Sequence, residues 1–477
     1  MDTRTEVTAV PRLLPAQRID AAGRAHVDLR AVLALALPLV ANSGVQMVLN
    51  LTDVWFIGHI STQALAGVGA VQWLVLVVVM ILGGIGMAVQ TLVAQAFGAR
   101  RFVRASQAVW TALWGILCVT PLFVLAGLSG RLMLVPFGFD APIAHLAADF
   151  WFPRVAGSFF GTAAWAIMGF FNGIGRPRVT VMVTAVAALA NVALNPLFIF
   201  HFGWGVAGSG WATTCAQALS LALGIAVMTG RAFREQYKFH LTWRPSVLRL
   251  WQQFRLGFPM GLLYAADLIG ISIFQMMQVR LGTADGAATQ VVMMLTSVAY
   301  MPGFGIALAG TTLVGQSIGA GDREWAMRVG TRVTWLAAVY MGSAGVVLAL
   351  AGPWILPWFA NAHDAEAAAM VTVGTSILWL AAVYQFFDGM NLGSGLCLRG
   401  AGDAVVPAAL VLALSWLVFI PLAHIMTFAP GEGWFDFLPQ LGWGAVGGWT
   451  ALLIYVCLLG MTLFMRWRSG AWKRIRI

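Results

Sequence analysis

Apolar residues fill this chain in runs of about 20, broken by short stretches of charged residues, glycine and proline. Runs of that length suit the hydrocarbon core of a bilayer. They predict twelve membrane spans, near residues 33–57, 66–94, 108–128, 145–172, 178–200, 204–229, 256–280, 287–315, 333–352, 367–397, 404–428 and 443–465. The first run, Leu33 to Gly58, is not apolar all round. At roughly 100° per residue, Asn42, Gln46, Asn50 and Asp53 fall within an arc of about 80°. Such a stripe has no use against lipid. It is expected to face a protein interior or a water-filled cavity, where an ionisable group is a functional candidate. The competing reading places Asp53 at the membrane surface, since Gly58 and His59 follow closely.

Composition strengthens the membrane reading. Of the 477 residues, 60% are hydrophobic and only 10% charged, and mean hydropathy is +0.83, whereas soluble domains carry about a quarter charged residues. The net charge of +10 does not point to nucleic acid, because the basic residues sit in short loops and at the two ends. Arg100, Arg101 and Arg104 follow the second span, and Arg176 and Arg178 the fourth. Arg231, Arg234, Lys238, Arg244 and Arg249 occupy the central loop. Arg323, Arg328 and Arg332 follow the eighth span, and Arg466, Arg468, Lys473, Arg474 and Arg476 close the chain. The opposite loops hold mainly His59, Arg131, Asp140, His201, Asp285, His363, Asp364, Glu366, Glu432 and Asp436. By the positive-inside rule both termini are expected in the cytoplasm. Residues 1–31 carry arginines without an apolar core, and are expected to be a cytoplasmic tail rather than a signal peptide. Cys118, Cys215, Cys397 and Cys457 lie within apolar segments without metal or disulfide spacing, so they are expected to pack.

The chain also repeats itself. Pro38 in ALPLV corresponds to Pro259 in GFPMG, and VAQAFGA at 93–99 to VGQSIGA at 314–320, both at an offset of 221 residues. Gly173-Ile-Gly175 corresponds to Gly400-Ala-Gly402, and Gly203-Trp-Gly205 to Gly442-Trp-Gly444, at larger offsets that imply insertions. Two homologous halves of six spans each insert with the same orientation, related by an axis along the membrane normal. The expected architecture is an all-α integral membrane protein of about twelve helices in two pseudo-symmetric six-helix lobes. Its parts are a tail over 1–31, an N-terminal lobe over 32–230, a cytoplasmic linker over 231–254, a C-terminal lobe over 255–466 and a basic cytoplasmic tail over 467–477. Architectures of this kind place a substrate cavity between lobes, which favours a transporter over a duplicated membrane enzyme or scaffold.

Charges deep in the spans are few: Asp53, Asp267 and Asp388. None has a basic residue one helical turn away. An unpaired buried carboxylate is costly, so each is expected to be protonated, share a cation or face water. Helix rise puts Asp267 about 18 Å beyond Arg255 and Asp388 about 16 Å before Arg399, close enough in level to share one cation or proton. Tyr384 and Asn391 lie a turn to either side of Asp388, and Tyr264 and Gln275 share the face of Asp267. Asp53 lies about 34 Å beyond Arg30, and Asn191 and Asn195 about 20 and 25 Å beyond Arg178. These asparagines offer either a second polar site or simple helix–helix hydrogen bonds, and Pro196 frees carbonyls that could hold a cation. Asp149 and Arg154 mark the outer mouth of the fourth span. The 21 tryptophans suit interfacial belts and packing, and a few are candidates to stack on flat cations. No phosphate loop, zinc-type cluster, nucleophile elbow or intramembrane HExxH is encoded, which weighs against an enzyme.

Together LALPLVANSGVQMVLNLTDVWFIGHIS, VAQAFGA, FFNGIGRPR, NVALNPLFIF, GWGVAGSGWAT and YQFFDGMNLGSGLCLRGAGD resemble the multidrug and toxic compound extrusion (MATE) family, and within it the NorM-like branch. The resemblance covers nearly the whole chain from residue 33. It implies antiport of organic, often cationic, compounds against sodium ions or protons, with no other cofactor. Asp53 matches the family's first-helix aspartate, Asp267 the seventh-helix acid, Asp388 the tenth-helix aspartate preceded by Tyr384, and Asn191 and Asn195 the fifth-helix asparagines. The seventh-helix acid is commonly glutamate, so the shorter Asp267 leaves sodium or proton preference open.

The resulting expectation is a multi-pass efflux antiporter of the bacterial inner membrane, acting as a monomer on small organic substrates among membrane lipids. Asp267 and Asp388, supported by Tyr384, would form the cation or proton site, with a possible sodium ion between the two acids. Asp53 with Asn191 and Asn195 would be a second titratable site, extended by Asn42, Gln46 and Asn50. A related flippase for lipid-linked or polysaccharide precursors is the near rival, though it predicts a cationic cavity and only Arg154 lies well inside a span. A channel would pass current without counter-transport, and the internal repeat does not look like the loop motifs of the major facilitator superfamily.

Overall fold

The computed structural model describes residues 14–135, 141–359, 367–435 and 437–475. Asp140, His363, Asp364, Glu366, Asp436 and Arg476, and residues 1–13 of the expected tail, lie outside them. A short antiparallel hairpin, β1 (Gln17–Ile19) and β2 (Ala25–Val27), is the only sheet among the described residues. All other regular structure is helical: α1 (Leu29–Gly58), α2 (Thr62–Gly98), α3 (Phe102–Leu128), α4 (Gly130–Leu134), α5 (Ala141–Ala156), α6 (Ser158–Gly173), α7 (Pro177–Pro196), α8 (Gly205–Thr229), α9 (Arg231–Tyr237), α10 (Val247–Leu281), α11 (Thr283–Gly319), α12 (Arg323–Ile355), α13 (Ala367–Ala401), α14 (Val405–Leu414), α15 (Ile420–Thr427) and α16 (Gly444–Arg468).

Eleven of the described helical segments are long and apolar enough to cross a membrane, and α5 with α6 makes a twelfth span bent by 41°. The protein is therefore an all-α membrane protein of about twelve spans. Most spans run several residues past the boundaries expected from hydropathy, and three of these extended ends are capped. Asp28 accepts from Arg30 N at the start of α1, Ser61 from Ala64 N before α2, and Asp322 from Trp325 N before α12. The bend in the fourth span falls at Gly157. Its missing Cβ leaves room for Thr214 of α8, whose Oγ1 donates to the Pro153 carbonyl at 2.8 Å. The fifth span widens after Pro196 into a π-turn, Leu197–His201, and the eleventh does the same at Ser415–Phe419. Proline removes a ladder donor, so the widening after Pro196 sits where the ladder is already broken.

Aliphatic side chains such as Leu125, Leu189, Val347 and Leu417 are exposed along the outer faces, as lipid-facing helices require. The cores are apolar inside each half. Ile85, Val89, Val109, Ile167 and Phe170 pack in the first, and Phe274, Phe419, Trp449, Tyr455 and Leu459 in the second. Two expectations need correction. Cys118 and Cys215 are exposed rather than packed, while Cys397 is buried; all four cysteines are free. The stretch between the halves is also not a plain linker: α9 and a turn of 3₁₀ helix, Phe239–Leu241, fold back so that Phe233, Tyr237 and Phe239 join the core of the first half. The hairpin before α1 is likewise docked, through Trp325 Nε1 on the Pro15 carbonyl at 2.9 Å.

Candidate functional site

The polar stripe of α1 ends in a hydrogen-bonded knot. Asn195 Nδ2 donates to Asp53 Oδ1 at 2.7 Å and to Asn191 Oδ1 at 3.0 Å. Thr213 Oγ1 lies 3.2 Å from Asp53 Oδ2 and also receives Asn191 Nδ2 at 3.3 Å. Asn191 and Asn195 are fully buried, one turn apart on α7, and Thr213 comes from α8. Asp53 is thus an internal group of the first half, not a surface one. Arg154 lies within electrostatic reach of Asp53, yet no ion pair joins them among the described residues. Asn42, Gln46 and Asn50 share the face of Asp53 but make no hydrogen bond to the knot. Gln46 and Asn50 are exposed, and Asn42 keeps a buried Oδ1 without a partner. The stripe therefore continues the site as an open polar face and adds no ligands to it. Asp149 pairs with His145 at 3.0 Å and takes no part.

The second half gathers the other two carboxylates. Asp388, 5% exposed in the middle of α13, receives Asn391 Nδ2 at 3.1 Å on Oδ1 and the Tyr384 hydroxyl at 3.4 Å on Oδ2. Asp267 on α10 receives the Tyr455 hydroxyl at 3.3 Å from α16. The two carboxylates feel each other's charge, and the hydroxyls of Tyr300, Tyr384 and Tyr455 lie within electrostatic range of both. Among the described residues no cationic side chain pairs with either acid. Tyr264 and Gln275 make no hydrogen bond to Asp267; Tyr264 is turned toward Arg399.

Sequence reasoning missed Thr213, Tyr300 and Tyr455. The available signal was scarcity, since three of only six tyrosines converge on one pair of acids. Among the described residues, no group of three or more His, Cys, Asp or Glu side chains could hold a metal ion. What the second half offers instead is a set of hard oxygens: two carboxylates, hydroxyls and the Asn391 carbonyl.

A third set of contacts joins the halves, and it obeys the repeat. Gln95 Nε2 donates to the Gly400 carbonyl at 3.0 Å, and its counterpart Gln316 to the Gly173 carbonyl at 2.8 Å. Thr91 Oγ1 donates to the Arg399 carbonyl and Thr312 Oγ1 to the Asn172 carbonyl, both at 3.0 Å. Each of these four bonds crosses from one half to the other. They need the α2 and α11 backbones in contact, which glycine allows: a Cβ at Gly98 would strike the Gln316 carbonyl, and one at Gly319 the Gln95 carbonyl. The Arg399 guanidinium adds a fifth bond, Nη2 to the Met87 carbonyl at 2.6 Å. Arg399 therefore does not mark a free membrane edge, the role it had in the depth estimate. Arg101, Arg104, Arg176 and Arg323 lie just beyond this clamp, so the arginine-rich side is the closed side.

Twelve spans, a duplication expressed as reciprocal contacts, and hydrogen-bonded carboxylates inside both halves define a multi-pass membrane protein of two homologous halves. Residues 38–197 and 259–425 match the MatE family. The chain belongs to that family. It is 30% identical over 451 residues to the probable multidrug resistance protein NorM of Burkholderia pseudomallei, covering 91% of each chain. It is 27% identical over 432 residues to the NorM of Agrobacterium fabrum, covering 87% of this chain and 92% of the relative. The fold is shared with a MATE crystal structure in the straight conformation (TM-score 0.81, 18% identity, 93% and 96% of the two chains). It is shared also with a eukaryotic MATE transporter (TM-score 0.79, 19% identity, 94% and 96%).

Proposed function

We propose that this protein is a secondary-active efflux antiporter, exporting organic, often cationic, compounds in exchange for sodium ions or protons. The observation that carries the reading is the Asp267–Asp388 pair in the second half, ringed by neutral hydroxyl and amide donors instead of cations. A carboxylate so placed must gain and lose a positive partner from solution to stay compensated. The curated relatives are named as probable multidrug resistance proteins, which supports an organic cargo.

In this reading the Asp267–Asp388 pair takes the coupling ion. Tyr384, Tyr455 and Asn391 supply neutral oxygens for sodium, or hold one carboxyl in place while it carries a proton. The shorter Asp267 leaves the choice between sodium and proton open. Asp53 with Asn191, Asn195 and Thr213 is the second titrating site. Residues 32–230 and 255–466 act as two lobes linked by 231–254, and rock so that the clamp between them opens and closes. The protein sits in the bacterial inner membrane as a monomer, with both termini and the arginine-rich side in the cytoplasm. Ion and cargo exchange because they favour opposite states or compete for the same carboxylates. The closed arginine-rich side then fits the state that receives ions from outside.

The test uses purified protein in liposomes loaded with a fluorescent organic cation, under a sodium gradient alone and then a proton gradient alone. Efflux driven by one gradient, and lost in both Asp388→Asn and Asp53→Asn, is expected and names the ion. Dye movement that ignores both gradients would sink the antiport reading.

A further inference from the structure

The segment between the halves carries chemistry that transport does not use. It folds against α3 and α8 to form an open-sided cavity of about 570 Å³, lined by Trp110, Thr229, Arg234, Phe239, His240 and Trp243. Two indole bonds hold this shape: Trp110 Nε1 donates to the Phe239 carbonyl at 3.0 Å and Trp114 Nε1 to the Trp243 carbonyl at 2.6 Å. On its core side Phe233, Tyr237 and Phe239 are buried. Its open side is basic. Among the described residues no carboxylate pairs with Arg231, Arg234, Lys238, Arg244 or Arg249.

Next to these unpaired cations stand large apolar side chains that a water-exposed linker would not carry. Leu241 and Trp243 of this segment are 65% and 49% exposed, and Val247, Leu248 and Trp251 in the first turns of α10 are 83%, 68% and 62% exposed. The segment begins where α8 leaves its membrane span and ends where α10 enters the next one. Cations and bare apolar groups at that level are what an interfacial, anion-attracting element needs. Indoles framing the pocket suit the headgroup layer, where one edge is wet and the ring is not.

We propose that this cavity is a binding site for the headgroup of an anionic phospholipid. Arg234 and His240 meet the phosphate, Trp110 and Trp243 frame it, and the acyl chains run along Leu241, Val247, Leu248 and Trp251. The site is separate from both carboxylate clusters and does not depend on the transport reading.

The experiment is native mass spectrometry of the whole protein, purified in mild detergent and incubated with phosphatidylglycerol or phosphatidylcholine. Wild type is expected to retain at least one copy of phosphatidylglycerol and several-fold less phosphatidylcholine. The double variant Arg234→Gln/His240→Gln is expected to lose that preference at least threefold, while Arg131→Gln keeps it; matched melting temperatures would show that both variants are folded. Equal retention of the two lipids, or an unchanged preference in the double variant, overturns the proposal. So does complete displacement of phosphatidylglycerol by millimolar inorganic phosphate, because the site would then be reading a free anion and not a lipid.

Discussion

At the scale of single residues, the two halves solve the same problem with different donors. Asp53 is satisfied by amides and a threonine on neighbouring helices, whereas Asp388 relies on its own helix for Asn391 and Tyr384 and faces Asp267 across the lobe. Hydrogen bonds to a charged acceptor contribute about 1.5–3 kcal/mol, and short ones more than long ones. The amide at 3.1 Å should therefore matter more than the hydroxyl at 3.4 Å. Asp388→Asn is expected to abolish gradient-driven efflux at normal protein level. Asn391→Ala should slow it about tenfold and Tyr384→Phe only about two- to threefold. Transport rates per mole of reconstituted protein test the order, and a larger loss in Tyr384→Phe than in Asn391→Ala would contradict it. Helical spacing alone put Asn191 and Asn195 on one face and Tyr384 a turn from Asp388. It could not supply Thr213, Tyr300 or Tyr455, whose positions depend on how separate helices pack.

Among the elements, what was legible in the sequence was whatever repeats or alternates. Twelve apolar runs and the 221-residue offset gave the spans and the duplication before any packing was known. The bend at Gly157 and the folding-back of α9 were not legible, because each answers to a neighbour: Thr214 for the bend, and Phe170 and Phe171 for α9. The hairpin before α1 was hidden for another reason, as its strands are only three residues long. Its turn is held by Asp20, whose Oδ1 accepts from Arg24 N at 2.8 Å and Ala22 N at 2.9 Å. The Arg24 amide, more than His26 or Ala22, keeps this carboxyl below its ordinary value of 3.8. A depressed carboxyl stabilises the folded turn at higher pH, and that contribution fades as pH falls from about 3.8 through its lowered value. Amide exchange at Ala22 and Arg24 should therefore speed up at low pH relative to the intrinsic rate. Asp20→Asn should flatten that pH dependence, and an equally steep profile in the variant would refute the assignment. The clamp makes a stronger demand. Gln95 and Gln316 each lose one inter-half bond on substitution by alanine, at about 1 kcal/mol apiece. The double variant should thus shift the balance toward an open arginine-rich side by roughly 30-fold. Spin labels at Arg101→Cys and Arg323→Cys should then report a new, longer distance; an unchanged distribution would mean that the clamp does not govern this side.

The whole molecule is a duplicated object whose two copies meet at one end. Equivalent residues make equivalent bonds across the axis: Thr91 and Thr312, Gln95 and Gln316, Gly98 and Gly319. The turns repeat as well. Gly175 and Gly402 both take positive φ, at 77° and 88°, and the position held by Gly321 at 94° is held by Arg100 at 56° in the first half. On the proposed antiport reading, the halves would part at the clamp, each carrying its own carboxylates. Rocking then requires the α2–α11 contact to break in every cycle. A covalent tie at that contact should stop transport without harming either site. Ala94 and Gly315 are suited to it, because a Cβ on Gly315 would lie 2.7 Å from that of Ala94. A disulfide, with its usual Cβ separation of about 3.8 Å, then needs only a small opening. In a background without the four native cysteines, oxidised Ala94→Cys/Gly315→Cys should bind an organic cation but not move it, and reduction should restore efflux. Full transport by the oxidised protein would mean that the halves need not part here, and the opening would have to be sought within a single half, at the Gly157 bend or the π-turn after Pro196.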